Sequence, residues 1–161
     1  MMGKRVLDAF EQKIVDVVDS HGWFVLSVAP AAGSDDPQEW WSYTIGLPKT
    51  FSWPELICFG LATDVRVRML NNAVEELRER RIAPEAGLEL DGVLNNYPVR
   101  FIDAVIPDSY LGSAAWYARY TGALVPPKYL QLTWPDDQGR FPNDPTCAAD
   151  VRADQIPLES E

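Results

Sequence analysis

Between Trp40 and Leu61 the chain reads WWSYTIGLPKTFSWPELICFGL, with three tryptophans, two phenylalanines and a tyrosine. No other stretch limits the fold so strongly. Trp41-Ser42-Tyr43-Thr44-Ile45 alternates bulky with small or polar residues and stops at Gly46, the period-two pattern of a strand. Pro48-Lys49-Thr50 reads as a turn. The Pro54 nitrogen cannot donate to a ladder and so belongs at a strand's start, and Leu56-Ile57-Cys58-Phe59 after it is nearly all apolar. Two neighbouring antiparallel strands are predicted.

Trp40, Trp41, Tyr43, Phe51 and Trp53 cannot all be enclosed by one thin hairpin, because alternate strand positions face opposite ways. Some of the rings are expected to line a groove, and Trp41, Tyr43, Thr44, Lys49, Thr50 and Trp53 form the expected ligand-contacting set. Lys49 suits an anionic ligand. The other use for the rings is packing under a helix against Trp116, Tyr117 and Tyr120.

On either side the period changes. Val6, Phe10, Ile14, Val17, Val18 and His21 recur at helical steps and end at Gly22, after which Trp23 to Val28 reads as a buried strand and 30–37 as a loop. Thr63 and Asp64 open a second helix through Val65, Met69, Leu70, Ala73, Val74 and Leu77, closed by arginines. Leu88–Leu94 and Val99–Val105 flank Asn95-Asn96-Tyr97-Pro98 as a second hairpin. Asp108 and Ser109 precede a third helix through Tyr120, and Tyr129–Trp134 reads as a last strand. Strands clustered between helices without strict alternation predict a single α+β domain over 1–143, a mostly antiparallel mixed sheet with about three helices packed on it. Residues 144–161 are acidic and proline-punctuated and are expected to be a poorly ordered tail.

The chain has 161 residues and a formal net charge of −10, which opposes bulk attraction to nucleic acid or anionic lipid. No segment reads as a secretory signal or bilayer span, so a soluble cytoplasmic protein with no membrane or nucleic-acid partner is expected. Cys58 and Cys147 lie far apart, and no structural disulfide is expected. His21 is the only histidine, a candidate general base or ligand contact at a helix end beside Trp23. Zinc, P-loop and Gly-x-Ser-x-Gly spacings are missing. The acids of Asp136-Asp137-Gln138-Gly139 read as a turn rather than a calcium loop, so no metal is assigned.

Several blocks together carry a family resemblance. They are His21-Gly22-Trp23, Tyr43-Thr44-Ile45-Gly46-Leu47, Pro54-Glu55-Leu56-Ile57 with Phe59-Gly60-Leu61, and Leu130-Gln131-Leu132 with Trp134-Pro135-Asp136 and Gly139-Arg140-Phe141-Pro142. In order over roughly residues 20 to 143, they resemble the bacterial family known as domain of unknown function 4262. That resemblance implies no catalytic residue and no cofactor. Asn143 stands where the family pattern would place a tryptophan. Tyr43-Thr44-Ile45-Gly46 followed by Trp53-Pro54-Glu55-Leu56 is also similar in outline to split-barrel flavin-binding reductases, which would imply a flavin mononucleotide near the glycine, threonine and lysine.

Two functions of different class follow. The acidity, the aromatic excess and the lack of a catalytic set favour a non-catalytic module that binds a protein partner or small molecule through an aromatic-lined groove. The alternative is an enzyme or cofactor carrier of split-barrel-like outline, with Thr44, Lys49 and His21 near an apolar pocket. Neither reading fixes a cofactor or an oligomeric state.

Overall fold

The structure, a computed structural model, describes residues 6–29, 40–103 and 106–155. The expected loop at 30–37 and the final six residues of the expected tail lie outside these.

The first helix, α1 (Ala9–His21), starts where Asp8 and Glu11 satisfy each other's backbone: Asp8 accepts from Glu11 N at 2.7 Å, and Glu11 accepts from Asp8 N at 3.1 Å. Ile14 and Val18 face the interior, and Gly22 ends the helix at φ 106°. Strand β1 (Phe24–Val28) runs antiparallel to β2 (Trp41–Ile45), and β2 runs antiparallel to β3 (Glu55–Phe59), the second pairing being the one that the sequence predicts. Between β2 and β3, Leu47–Phe51 forms a one-turn helix, α2, where the sequence suggests a plain turn. Pro48 sits in its first turn, where a missing N–H costs nothing.

Helix α3 (Thr63–Arg80) follows, then the short β4 (Glu89–Leu90) and β5 (Val99–Asp103), which pair antiparallel. The expected hairpin is therefore reduced on one side to two residues. A 3-10 turn, Asp108–Leu111, leads into α4 (Gly112–Tyr120). Strand β6 (Tyr129–Thr133) enters between β3 and β5, parallel to the former and antiparallel to the latter. The open six-stranded sheet has the order β1-β2-β3-β6-β5-β4.

Both faces of the sheet are covered. Met69, Leu70, Ala73, Val74 and Leu77 of α3 pack on Leu56, Cys58, Phe101, Leu130 and Leu132. On the opposite face Ile14 and Val18 of α1, with Ala114 and Tyr117 of α4, pack on Tyr43, Ile45, Ile57 and Phe59. At about 25 cal/mol per Å² of apolar surface removed from water, these two layers supply the main drive to fold.

Arg66 of α3 is wholly buried, with no ion pair to a carboxylate among the described residues. Its Nε donates to Ser42 Oγ at 3.0 Å, Nη1 to the carbonyls of Gly60 and Leu61 at 3.2 and 2.7 Å, and Nη2 to Thr63 Oγ1 at 3.0 Å. The guanidinium fork thus pins the β3–α3 turn, in which Leu61 holds φ 62°.

Packing continues past residue 143, where the sequence reading ends the domain. A fifth helix, α5 (Ala149–Asp154), leads to Gln155, whose amide grips the backbone of Trp134 at both ends. Trp134 N donates to Gln155 Oε1 at 2.9 Å, and Gln155 Nε2 donates to Trp134 O at 2.7 Å. Residues 144–155 are thus part of the packed body, because a buried side-chain amide replaces a missing strand partner.

Candidate functional site

Glu55 is the first residue of β3 and is 1% exposed, a carboxylate drawn inside at the head of an otherwise apolar strand. Its position is explained by α2. A helix start leaves N–H groups without partners, and the Glu55 carboxylate takes two of them: Gly46 N donates to Oε2 at 2.8 Å and Leu47 N to Oε1 at 3.2 Å. Thr44 Oγ1 donates to Oε1 at 2.9 Å while accepting from Leu56 N at 2.8 Å. Burial nevertheless dominates and pushes the Glu55 carboxyl up to about 8, the Gly46, Thr44 and Leu47 donors working against it.

Over this carboxylate lies a cleft of about 340 Å³ between α2 and α4, lined by Glu55, Lys49, Tyr117 and Thr121 among small residues such as Gly46 and Ala118. Small residues on α4 and just past its end leave the space: Ala114, Ala118, Gly122 and Ala123 stand where larger side chains would close it. Tyr117 is 2% exposed and its hydroxyl has no hydrogen-bond partner among the described residues. Burial raises its phenol above the ordinary value, while the nearby Lys49 ammonium lowers it. Lys49 stands at the rim, its Nζ 5.9 Å from the Tyr117 ring centroid and 3.6 Å from Asp19 of α1. The Tyr117 hydroxyl, and then Asp19, favour its charged form. A perturbed carboxyl and an unpartnered buried phenol in one concave space are the physical marks of a binding site.

Of the residues singled out from sequence, Lys49 lines the cleft and Thr44 lies beneath it, holding Glu55. Tyr43 is core, its hydroxyl accepting from Ser113 N at 3.1 Å. The other four are elsewhere. Trp41 stacks on Tyr110 with centroids 4.5 Å apart and donates Nε1–H to Tyr110 O at 3.0 Å. Trp53 stacks on Phe51 at 4.4 Å against the α3 side of the core. Thr50 donates to Gly22 O at 2.6 Å, tying α2 to the end of α1. His21 is exposed and rests beside Trp23, centroids 4.2 Å apart. The wall of the cleft is thus built of small residues and one ring, not of the tryptophans.

Glu55 escapes a reading that looks for aromatic groups and turns, and Tyr117 is expected there only as a packing partner for the rings. The available signal is a lone acid heading the apolar run Leu56–Phe59, since a buried strand carries a charge only if something receives it. The flavin outline does not fit these residues: Thr44 is fully buried with its hydroxyl committed to Glu55 and Leu56, and the sheet is open rather than closed into a barrel.

The acidic turn at 136–139 is also accounted for. Asp136 accepts from the N–H groups of Gln138, Arg140 and Ala148 at 3.0, 2.8 and 2.9 Å and from Arg140 Nε at 3.1 Å. Burial alone would raise its carboxyl, but these donors bring it down to about 2. Among the described residues no group of three or more His, Cys, Asp or Glu side chains could hold a metal ion, and no helix is long and apolar enough to cross a membrane.

A mixed open sheet covered on both faces, with a polar-floored cleft at one end of α2, defines an α+β domain. Residues 17–148 match the family described as domain of unknown function (DUF4262), and the chain belongs to that family. No curated protein and no solved structure matches it.

Proposed function

We propose that this protein is a binding module for a small molecule seated in the cleft between α2 and α4, with Glu55 as its polar floor. One observation carries the reading: a buried carboxyl and a buried phenol without a partner line the same 340 Å³ space. A buried polar group without a partner costs about 1–3 kcal/mol. A ligand that completes the bonding of Tyr117 recovers part of that cost.

Filling the cleft tests the reading. Ala118→Phe places a ring where Ala118 lines the space. Fragment screening of the wild-type chain by amide chemical shifts is expected to perturb Gly46, Ala118 and Gly122, and the substituted protein is expected to lose those responses. Fragments that act equally on both proteins, or only on distant amides, would remove the cleft as the site.

A protein partner is favoured by a different observation. Leu124 is 99% exposed and Val125 71% exposed, next to the cleft lining at 121–123. Two large aliphatic side chains left in water together mark a contact surface. Replacing both with serine should abolish capture of a partner without changing fragment shifts in the cleft.

A further inference from the structure

We propose that Leu124 and Val125 form a strap that closes over the occupant of the cleft between α2 and α4, and that the occupant is a compact molecule whose outward side is apolar. The inference rests on the cleft being the binding site, and adds what covers it.

The chain leaves the wall of the cleft firmly held. Thr121 N donates to Tyr117 O at 3.0 Å, Gly122 N to Arg119 O at 3.0 Å and Ala123 N to Ala118 O at 2.8 Å. The last two bonds are the pair that closes a helix around a left-handed residue, and Gly122 holds φ 100°. At the far end Lys128 O accepts from the backbone N–H of Glu55 at 2.9 Å, so the segment finishes on the residue that floors the cleft. Between these anchors, among the described residues, no hydrogen bond holds Leu124, Val125, Pro126 or Pro127. A stretch pinned at both ends and unbonded in the middle moves at little cost.

Its side chains are of the wrong kind for water. Leu124 is 99% exposed and Val125 71% exposed, although a leucine or valine gains about 1.5–3 kcal/mol when fully buried. Leu124 directly follows Ala123, which lines the cleft, and neighbouring Cα atoms are about 3.8 Å apart. Both side chains therefore start at the rim. Val125 precedes a proline and is confined to extended backbone, so rotation about Ala123 and Leu124 is what swings the pair inward. Pro126 and Pro127 share a narrow crevice with Leu111, Ala115 and Tyr129, which keeps the far end in place.

A ligand supplies the reason to close. Ala114, Ala118, Gly122 and Ala123 are small, so over an empty space of about 340 Å³ the leucine and valine would find few atoms to touch. Contacts made only in the closed arrangement are what allow a ligand to shift such an equilibrium. Glu55 and Tyr117 make the inner end of the space polar, whereas the strap offers only aliphatic carbon. A molecule carrying hydroxyl or charged groups on every side would bury some of them against Leu124 and Val125 without partners. One with an apolar side facing outward would not.

The experiment titrates cyclohexanol and inositol, which share a ring and differ in hydroxylation, into the full chain and into Leu124→Ser/Val125→Ser, followed by amide shifts. Cyclohexanol is expected to shift Gly46, Ala118 and Gly122 together with Leu124 and Val125, and to bind more tightly than inositol. The double variant is expected to bind cyclohexanol about tenfold more weakly. Its melting temperature without ligand should match the wild type, because both replaced side chains stand in water. Equal cyclohexanol affinity for the two proteins overturns the strap and leaves the cleft standing, and loss of a protein partner in the same variant would then assign the pair to that contact. Inositol binding as tightly as cyclohexanol overturns the apolar class. Cyclohexanol shifts that survive unchanged in Ala118→Phe, or no shift at Gly46, Ala118 and Gly122 with either probe, overturn the strap and the cleft together.

Discussion

Glu55 serves α2, β3 and the cleft at once, and its titration makes this measurable. Its carboxyl sits at about 8 when folded against 4.5 for the ordinary group, so between those values the folded chain binds more protons than the unfolded one. The stability that this proton supports is complete below about pH 4.5 and is lost as pH rises through about 8. Urea denaturation across that window should show wild-type stability falling, on the order of a few kcal/mol, relative to Glu55→Gln. A difference between the two proteins that is flat, or that rises with pH, would show that Glu55 is ionised throughout. Asp136, held at about 2, titrates below this window and does not blur it. The letter at position 55 is plain in the sequence, but its burial is not. Burial depends on Gly46 and Leu47 offering N–H groups at a helix start that composition and period do not reveal.

At the scale of elements, α2 owes its place to Gly46. That residue holds φ 104°, and a Cβ added there would meet Val18 Cγ1 at 2.8 Å. Gly46→Ala combines backbone strain with a clash against α1 and is expected to cost about 2–4 kcal/mol, read from the shift in denaturation midpoint. A loss below about 0.5 kcal/mol would mean α1 and α2 are not in tight contact. The strands on either side were legible because Trp41–Ile45 alternates and Pro54 opens an apolar run. Helix α2 was not, since five residues span little more than one turn and show no period. The Asp8–Glu11 reciprocal cap is written in the sequence, and α1 accordingly begins three residues after Val6.

Across the whole molecule, the segment after residue 143 docks through Gln155 on Trp134, just past the end of β6. Ending the chain after Asn143 would remove the Gln155 grip on Trp134 and the Ala148 N–H on Asp136. The shortened protein is expected to lose on the order of 3 kcal/mol, at roughly 1 kcal/mol per hydrogen bond. Thermal denaturation of the two lengths side by side decides this, and equal midpoints would return 144–155 to the status of a loose appendage. The acidic, proline-broken character of that segment hid its role, because one glutamine carries the docking. The aromatic excess was visible, but its use depends on partners remote in sequence: Tyr110 for Trp41 and Asn71 for the Trp23 indole. The α+β class was legible, whereas the parallel pairing of β3 with β6 joins segments that no local pattern connects.

That pairing also sets a schedule for synthesis. Residues 55–59 leave the ribosome long before 129–133, so the flank of β3 stays open while some seventy residues are still being added. During that interval the open edge of a strand reading Leu-Ile-Cys-Phe is available to neighbouring chains. Nascent or prematurely ended products are accordingly the forms of this protein most prone to aggregate.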